Sequence, residues 1–102
     1  MSTIAERVAI GVAWLDEHEP GWVSRIDLDT LEMGDCGQCI CGQLVGNFQA
    51  ALKRWGHNPF AVTTSDWVEA HGFDVSYGGY PSLNTAWRRV ITERRAGQGE
   101  EK

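Results

Sequence analysis

The chain has no apolar run approaching the roughly 20 residues that a helix needs to cross a bilayer, so no membrane-spanning segment is expected. Its N-terminus, Met1-Ser2-Thr3-Ile4-Ala5-Glu6-Arg7, lacks the basic start and long apolar stretch of a signal peptide. Basic residues are outnumbered, with 9 Lys and Arg against 14 Asp and Glu and a formal net charge of −5. Nucleic acid is therefore not an expected partner, because neutralising phosphates takes a cationic surplus. Cysteine is scarce and odd in number, at 3 residues, all between positions 36 and 41. Cysteines so close together cannot staple distant parts of a fold, and a reduced, cytoplasmic setting is expected. No phosphate loop, calcium loop or His-x-x-x-His pair is present. A catalytic triad cannot be argued from spacing, because triads are defined by geometry.

What the chain does have is aromatic surface. Its 102 residues include 5 tryptophans, each able to bury about 150–250 Å². The length suits one domain and lies above the range where a metal or disulfide is needed for folding. Thr3 and Glu6 have capping-box spacing, and Ile4, Val8, Val12 and Leu15 recur at helical spacing, so a helix is expected over 4–18. Glu19-Pro20-Gly21 ends it. Between Trp22 and Met33 the apolar residues fit neither period, and two short helical turns are expected, after Pro20 and near Leu28–Glu32. Asp35 followed by Gln38 predicts the start of a longer helix reaching Trp55, with Ile40, Leu44, Phe48 and Leu52 on its apolar face. Gly42 and Gly46 cost this helix propensity, which points to close approach of another backbone.

Farther on, Phe60–Thr63 and the alternating Phe73, Val75 and Tyr77 read as two short strands flanking a brief helix at Trp67–His71. Their short connection favours antiparallel pairing. A last helix opens at Pro81-Ser82 and carries Leu83, Ala86, Trp87, Val90 and Ile91 on one face. The expected fold is mainly α: a compact single-domain bundle of three to four helices over residues 1–96, with at most a short two-stranded antiparallel element. Residues 97–102 read as a disordered tail.

Any chemistry must pass through Cys36, Cys39 and Cys41. Cys36-Gly37-Gln38-Cys39 has dithiol spacing, and a first-turn position favours a thiolate. Such motifs, however, usually follow a buried strand in a βαβ framework, which is missing here. At about 100° per helical residue, Cys36 and Cys39 share a face while Cys41 points away toward Leu44 and Phe48. Zinc would need a fourth ligand, with His57, His18 or His71 as sources. The candidate metal set is Cys36, Cys39 and His57, with zinc as the one cofactor considered and none required for folding. A small core residue, the commonest role of a free cysteine, suits Cys41. The histidines lie near helix ends, where capping explains them. Trp87, Arg88, Arg89, Arg94 and Arg95 form a basic strip with a tryptophan, a composition enriched at interface hot spots. They are the candidate partner-binding residues, and the acidic start and basic end of the chain would also suit self-association.

Three segments carry a resemblance: Gly21-Trp22-Val23-Ser24-Arg25-Ile26-Asp27, Cys39-Ile40-Cys41-Gly42-Gln43-Leu44, and Ala86-Trp87-Arg88-Arg89-Val90-Ile91. Together they resemble a group of small uncharacterised proteins of actinobacteria and their bacteriophages. The resemblance implies an origin, with a host-cell cytoplasm as the setting, and little chemistry. That group usually has Leu where this chain has Cys41, which weakens a metal site needing all three thiols. The expected function is a small, non-enzymatic phage accessory protein that binds a macromolecular partner, a host protein. The alternative is a zinc-binding or thiol-active protein using Cys36 and Cys39.

Overall fold

Among the described residues of the computed structural model six helices follow one another: α1 (Ile4–His18), α2 (Trp22–Arg25), α3 (Ile40–Val45), α4 (Phe48–Arg54), α5 (Val62–Ala70) and α6 (Tyr80–Glu100). The structure describes residues 3–58, 60–75 and 79–100, the last three of these as backbone only. The fold is mainly helical, and among the described residues no strand forms.

Helix α1 starts where the capping box places it. The Glu6 amide donates to Thr3 Oγ1 at 3.1 Å, and the Thr3 amide donates back to Glu6 Oε1 at 3.2 Å. Val8 and Leu15 are fully buried, and they face α5 and α6. Helix α6 presents Leu83, Trp87 and Ile91, four residues apart, to the core. Trp87 is its centre. The indole meets Trp22 edge-on at 5.8 Å and 89°, stacks on Phe73 at 5.8 Å and 11°, and donates Nε1–H to the Gly72 carbonyl at 2.6 Å. An indole this deep needs a partner for its N–H, and the turn after α5 supplies one.

Several expectations are corrected. The described residues form six helices, short and long, where three to four were expected. The helix expected from Asp35 to Trp55 is two helices meeting at a corner. Gly46 takes φ 125°, a backbone value that favours glycine, and Asn47 Oδ1 then accepts the Ala50 amide at 2.7 Å to start α4. Asp35 does not cap a helix; it closes a turn by accepting the Gly37 and Gln38 amides at 2.8 and 3.2 Å. Cys39 takes the cap position of α3 instead. Of the two glycines expected to admit another backbone, Gly42 does so: a Cβ there would meet the Cys36 carbonyl oxygen and, at 2.7 Å, the Gly37 carbonyl carbon. Gly46 faces open space.

The strand expected at Phe60–Thr63 is a turn followed by the first residues of α5, which buries Thr64 and Val68. Phe73–Val75 is irregular, its Phe73 drawn among the tryptophans, so no ladder forms to compete with the helix. Tyr77 lies outside the described residues. The short helix after Pro20 is present as α2, whereas Leu28–Thr30 is only a turn, in which Asp27 Oδ1 accepts the Asp29 amide at 2.9 Å. The tail expected from Gly97 continues as helix to Glu100; residues 101–102 lie outside the described residues.

Replacing Gly42 by Ala should therefore destabilise the protein by about 1–3 kcal/mol, as overpacking does, despite alanine's better helix propensity. Urea unfolding followed by tryptophan fluorescence measures the loss.

Candidate functional site

The basic strip of α6 is turned inward. Trp87 is fully buried. Arg88 donates from both terminal nitrogens, to the Leu28 carbonyl at 2.5 Å and the Leu31 carbonyl at 2.7 Å. Arg95 donates to the Val23 carbonyl at 2.8 Å and also to the Ile26 carbonyl. Arg94 grips the Asp16 carboxylate of α1 with two bonds of 2.9 and 3.1 Å. Only Arg89 stays largely in solvent, its side chain 79 % exposed beside Glu93. The expected partner-binding set is thus corrected: Trp87, Arg88, Arg94 and Arg95 hold the fold, and Arg89 alone remains for a partner. Sequence could place these residues on one helix, but not show that an irregular segment with free carbonyls lies against it.

The three thiols are not divided as helical geometry led us to expect, because Cys39 is the cap of α3 and the Cys41 thiol lies against its sulfur. Cys36 is exposed, Cys39 is 1 % exposed and Cys41 is sealed in the core. Cys39 Sγ accepts the Gly42 amide at 3.2 Å and lies 3.8 Å from the Cys36 carbonyl oxygen. The Cys41 thiol, donating to it, lowers the Cys39 pKa; burial opposes this, and the Gly42 amide adds to it. Burial pushes Cys41 well above the ordinary thiol value, and the neighbouring Cys39 sulfur adds to this. Cys36 and Cys39 line one cavity of about 110 Å³ with Met33, Phe48, Asp74 and Tyr80. There the Asp74 carboxylate accepts the Tyr80 hydroxyl at 2.5 Å and, with burial behind it, pushes the phenol up to about 12.

His57 does not join the thiols. It meets Trp67 at 4.3 Å with the rings tilted by 37°, and it lines a different cavity. Among the described residues, no three His, Cys, Asp or Glu side chains are placed to share a metal ion. The expected Cys36–Cys39–His57 zinc set is therefore not assembled, the two thiols lining one cavity and His57 another.

The second cavity is larger, about 640 Å³, and aromatic, with Trp14, His18, Glu19, Arg54, Trp55 and His57 on its walls. Trp14 is its pivot. It stacks with His18 at 4.2 Å and meets Trp55 and Trp67 edge-on at 4.7 and 5.1 Å. His71 covers the other face of the cluster, stacked on Trp67 at 4.1 Å. So the histidines do bond helix-end carbonyls, His18 Nδ1 to Trp14 and His71 Nδ1 to Trp67, while also extending an aromatic stack. Glu19 is buried at 5 % exposure. It receives Arg54 Nε and Trp55 Nε1 on Oε2, both at 3.0 Å, and Arg25 on Oε1 at 3.5 Å. Burial alone would raise its pKa, but the Trp55 and Arg54 bonds outweigh it and hold the carboxyl below its ordinary value. Sequence reasoning missed this cavity, since Trp14, Glu19 and Trp55 share no motif.

Two measurements follow from these arrangements. Arg88→Ala should destabilise by about 2–3 kcal/mol, the range for hydrogen bonds from a charged donor. Arg89→Ala, which loses one exposed pair, should stay within about 0.5 kcal/mol, and chemical denaturation of both variants checks the contrast. For Glu19, a folded pKa below the unfolded one means its contribution is present above the ordinary value near 4.5 and is lost as pH falls through the folded value. Stability should therefore decline on acidification below about 4.5, and Glu19→Gln should be less stable at neutral pH with a flatter acid limb in pH-dependent unfolding.

No helix of the described residues is long and apolar enough to cross a membrane. No family model, curated protein or solved structure matches this chain.

Proposed function

We propose that the chain is a small non-enzymatic accessory protein of an actinobacterial phage that works by binding a host protein through its aromatic cavity. The observation that carries this reading is the open cavity of about 640 Å³ between α1 and α4, walled by Trp14, Trp55 and His57. Phe60 and Val62, each 81 % exposed, follow His57 closely in the chain. Large exposed apolar side chains and concave aromatic sites are what partner recognition uses. The polar side chains on the walls set the partner's chemistry. Arg54 uses Nε for Glu19 while its side chain remains 59 % exposed, and His18 and His57 stand on the same walls. An apolar or aromatic side chain flanked by a carboxylate fits that lining. The resemblance of the Gly21–Asp27, Cys39–Leu44 and Ala86–Ile91 segments supports the phage origin, and with it the host-cell cytoplasm as the place of action. Self-association loses the free basic strip on which it was expected to rest, because Arg88, Arg94 and Arg95 are engaged within the chain.

The test is affinity capture from an actinobacterial lysate with the wild-type protein and a Phe60→Ser/Val62→Ser variant. Both positions are exposed, so the variant should keep the wild-type melting temperature. The expected outcome is one host protein captured in stoichiometric amount by the wild type and reduced at least about tenfold by the variant, a loss of roughly 1.4 kcal/mol. Equal capture by both proteins, or none by either, would overturn the reading.

A further inference from the structure

We propose that Cys36 and Cys39 form a reversible intramolecular disulfide by exchange with a low-molecular-weight disulfide, with Cys36 as entry thiol, Cys39 as resolving thiol and Cys41 left reduced. The proposal is independent of the aromatic cavity. It rests on where the turn before α3 places the sulfurs.

The Asp35 carbonyl accepts the Gln38 amide at 3.2 Å and the Cys39 amide at 3.0 Å. This is the bonding of a helical turn, on which residues three apart are neighbours with Cβ atoms about 5–6 Å apart. A disulfide needs about 3.5–4.5 Å, so closure takes a movement of about 1–2 Å at an exposed turn. The two residues are in contact, with Cys39 Sγ 3.8 Å from the Cys36 carbonyl oxygen. Both cysteines border the same cavity.

Access separates their roles. Cys36 is exposed and can meet an oxidant in solution. Cys39 is 1 % exposed, and the cavity beside it, about 110 Å³, is too small for a peptide-sized disulfide. Cys39 therefore meets only a sulfur already attached to the protein. The Gly42 amide at 3.2 Å and the Cys41 thiol both direct hydrogen toward its sulfur and favour the thiolate that must attack.

In the first step the Cys36 thiol loses its proton to solvent and its sulfur attacks one sulfur of the small disulfide. A protein mixed disulfide forms, the small S–S bond breaks, and one small thiolate leaves and takes up a proton. In the second step Cys39, its proton passed to solvent, attacks Cys36 Sγ. The Cys36–Cys39 bond forms and the second small thiolate leaves, again taking up a proton. Two protein thiols are oxidised and the small disulfide is reduced to two thiols, so electrons and atoms balance. Cys41 takes no part: it is sealed from solvent, and burial holds its proton on.

The experiment treats native protein with oxidised glutathione and follows intact mass and thiol-mapped peptides. Wild-type protein should lose two hydrogens, give a Cys36–Cys39 cross-linked peptide and keep one free thiol, Cys41, with full reversal by dithiothreitol. Cys39→Ser, which retains a good helix cap, should stop at a glutathione adduct on Cys36. Cys36→Ser, altered only at an exposed position, should remain unmodified. Reaction of Cys36→Ser at the wild-type rate, a disulfide containing Cys41, or a wild-type protein that stops at the glutathione adduct would each overturn the assignment.

Discussion

The fold depends on arginine side chains of α6 supplying hydrogen-bond donors to backbone that has no secondary structure of its own. Between the end of α2 at Arg25 and the start of α3 at Ile40 the chain runs through turns and irregular segments. Its carbonyls at Leu28 and Leu31 are held by Arg88 and that of Ile26 by Arg95, which also bonds the Val23 carbonyl of α2. A guanidinium carries several donors in a rigid fork, so each side chain can satisfy two carbonyls at once. Amide side chains complete the arrangement: Gln43 accepts the Asp27 amide at 2.6 Å and donates to the Asp27 and Gln38 carbonyls, while Asn84 accepts the Met33 amide at 2.6 Å. Apolar Ile26, Leu31 and Met33 can then be buried without leaving polar backbone unpaired.

The aromatic residues divide the interior into two regimes. Trp22, Phe73 and Trp87 form a closed core in which each ring is sealed from water. Trp14, Trp55 and Trp67 are only partly buried, and the first two keep ring surface at the boundary of a cavity. The buried Glu19 joins these regimes to electrostatics. A carboxylate removed from water is tolerated because three donors converge on it. This ties the ends of α1, α2 and α4 together at the cavity wall. The same cluster that shapes the cavity therefore makes its geometry sensitive to acid.

The thiol-lined and aromatic cavities differ in chemistry although α4 contributes to both, Phe48 to the first and Arg54 to the second. One holds sulfur beside a Tyr80–Asp74 hydrogen bond, and the other holds stacked indoles and imidazoles around a paired carboxylate.

Local physics was legible in the sequence. The Thr3–Glu6 capping box, the α1 register of Val8 and Leu15, the α6 face of Leu83, Trp87 and Ile91, the close approach at Gly42 and the burial of Cys41 all follow from spacing and side-chain chemistry acting within a few residues. Residues 60–63 misled because alternating apolar residues signal a strand only when a partner strand exists, and Phe73 was claimed by Trp87 and its neighbours instead. The α6 arginines were read as surface because their acceptors lie some 57–72 positions away in the chain. The sequence by itself determined a helical, aromatic-rich chain with its thiols in one short segment. Tertiary structure alone decided which charges face inward and where a cavity opens, because both depend on backbone carbonyls and rings brought together from distant segments.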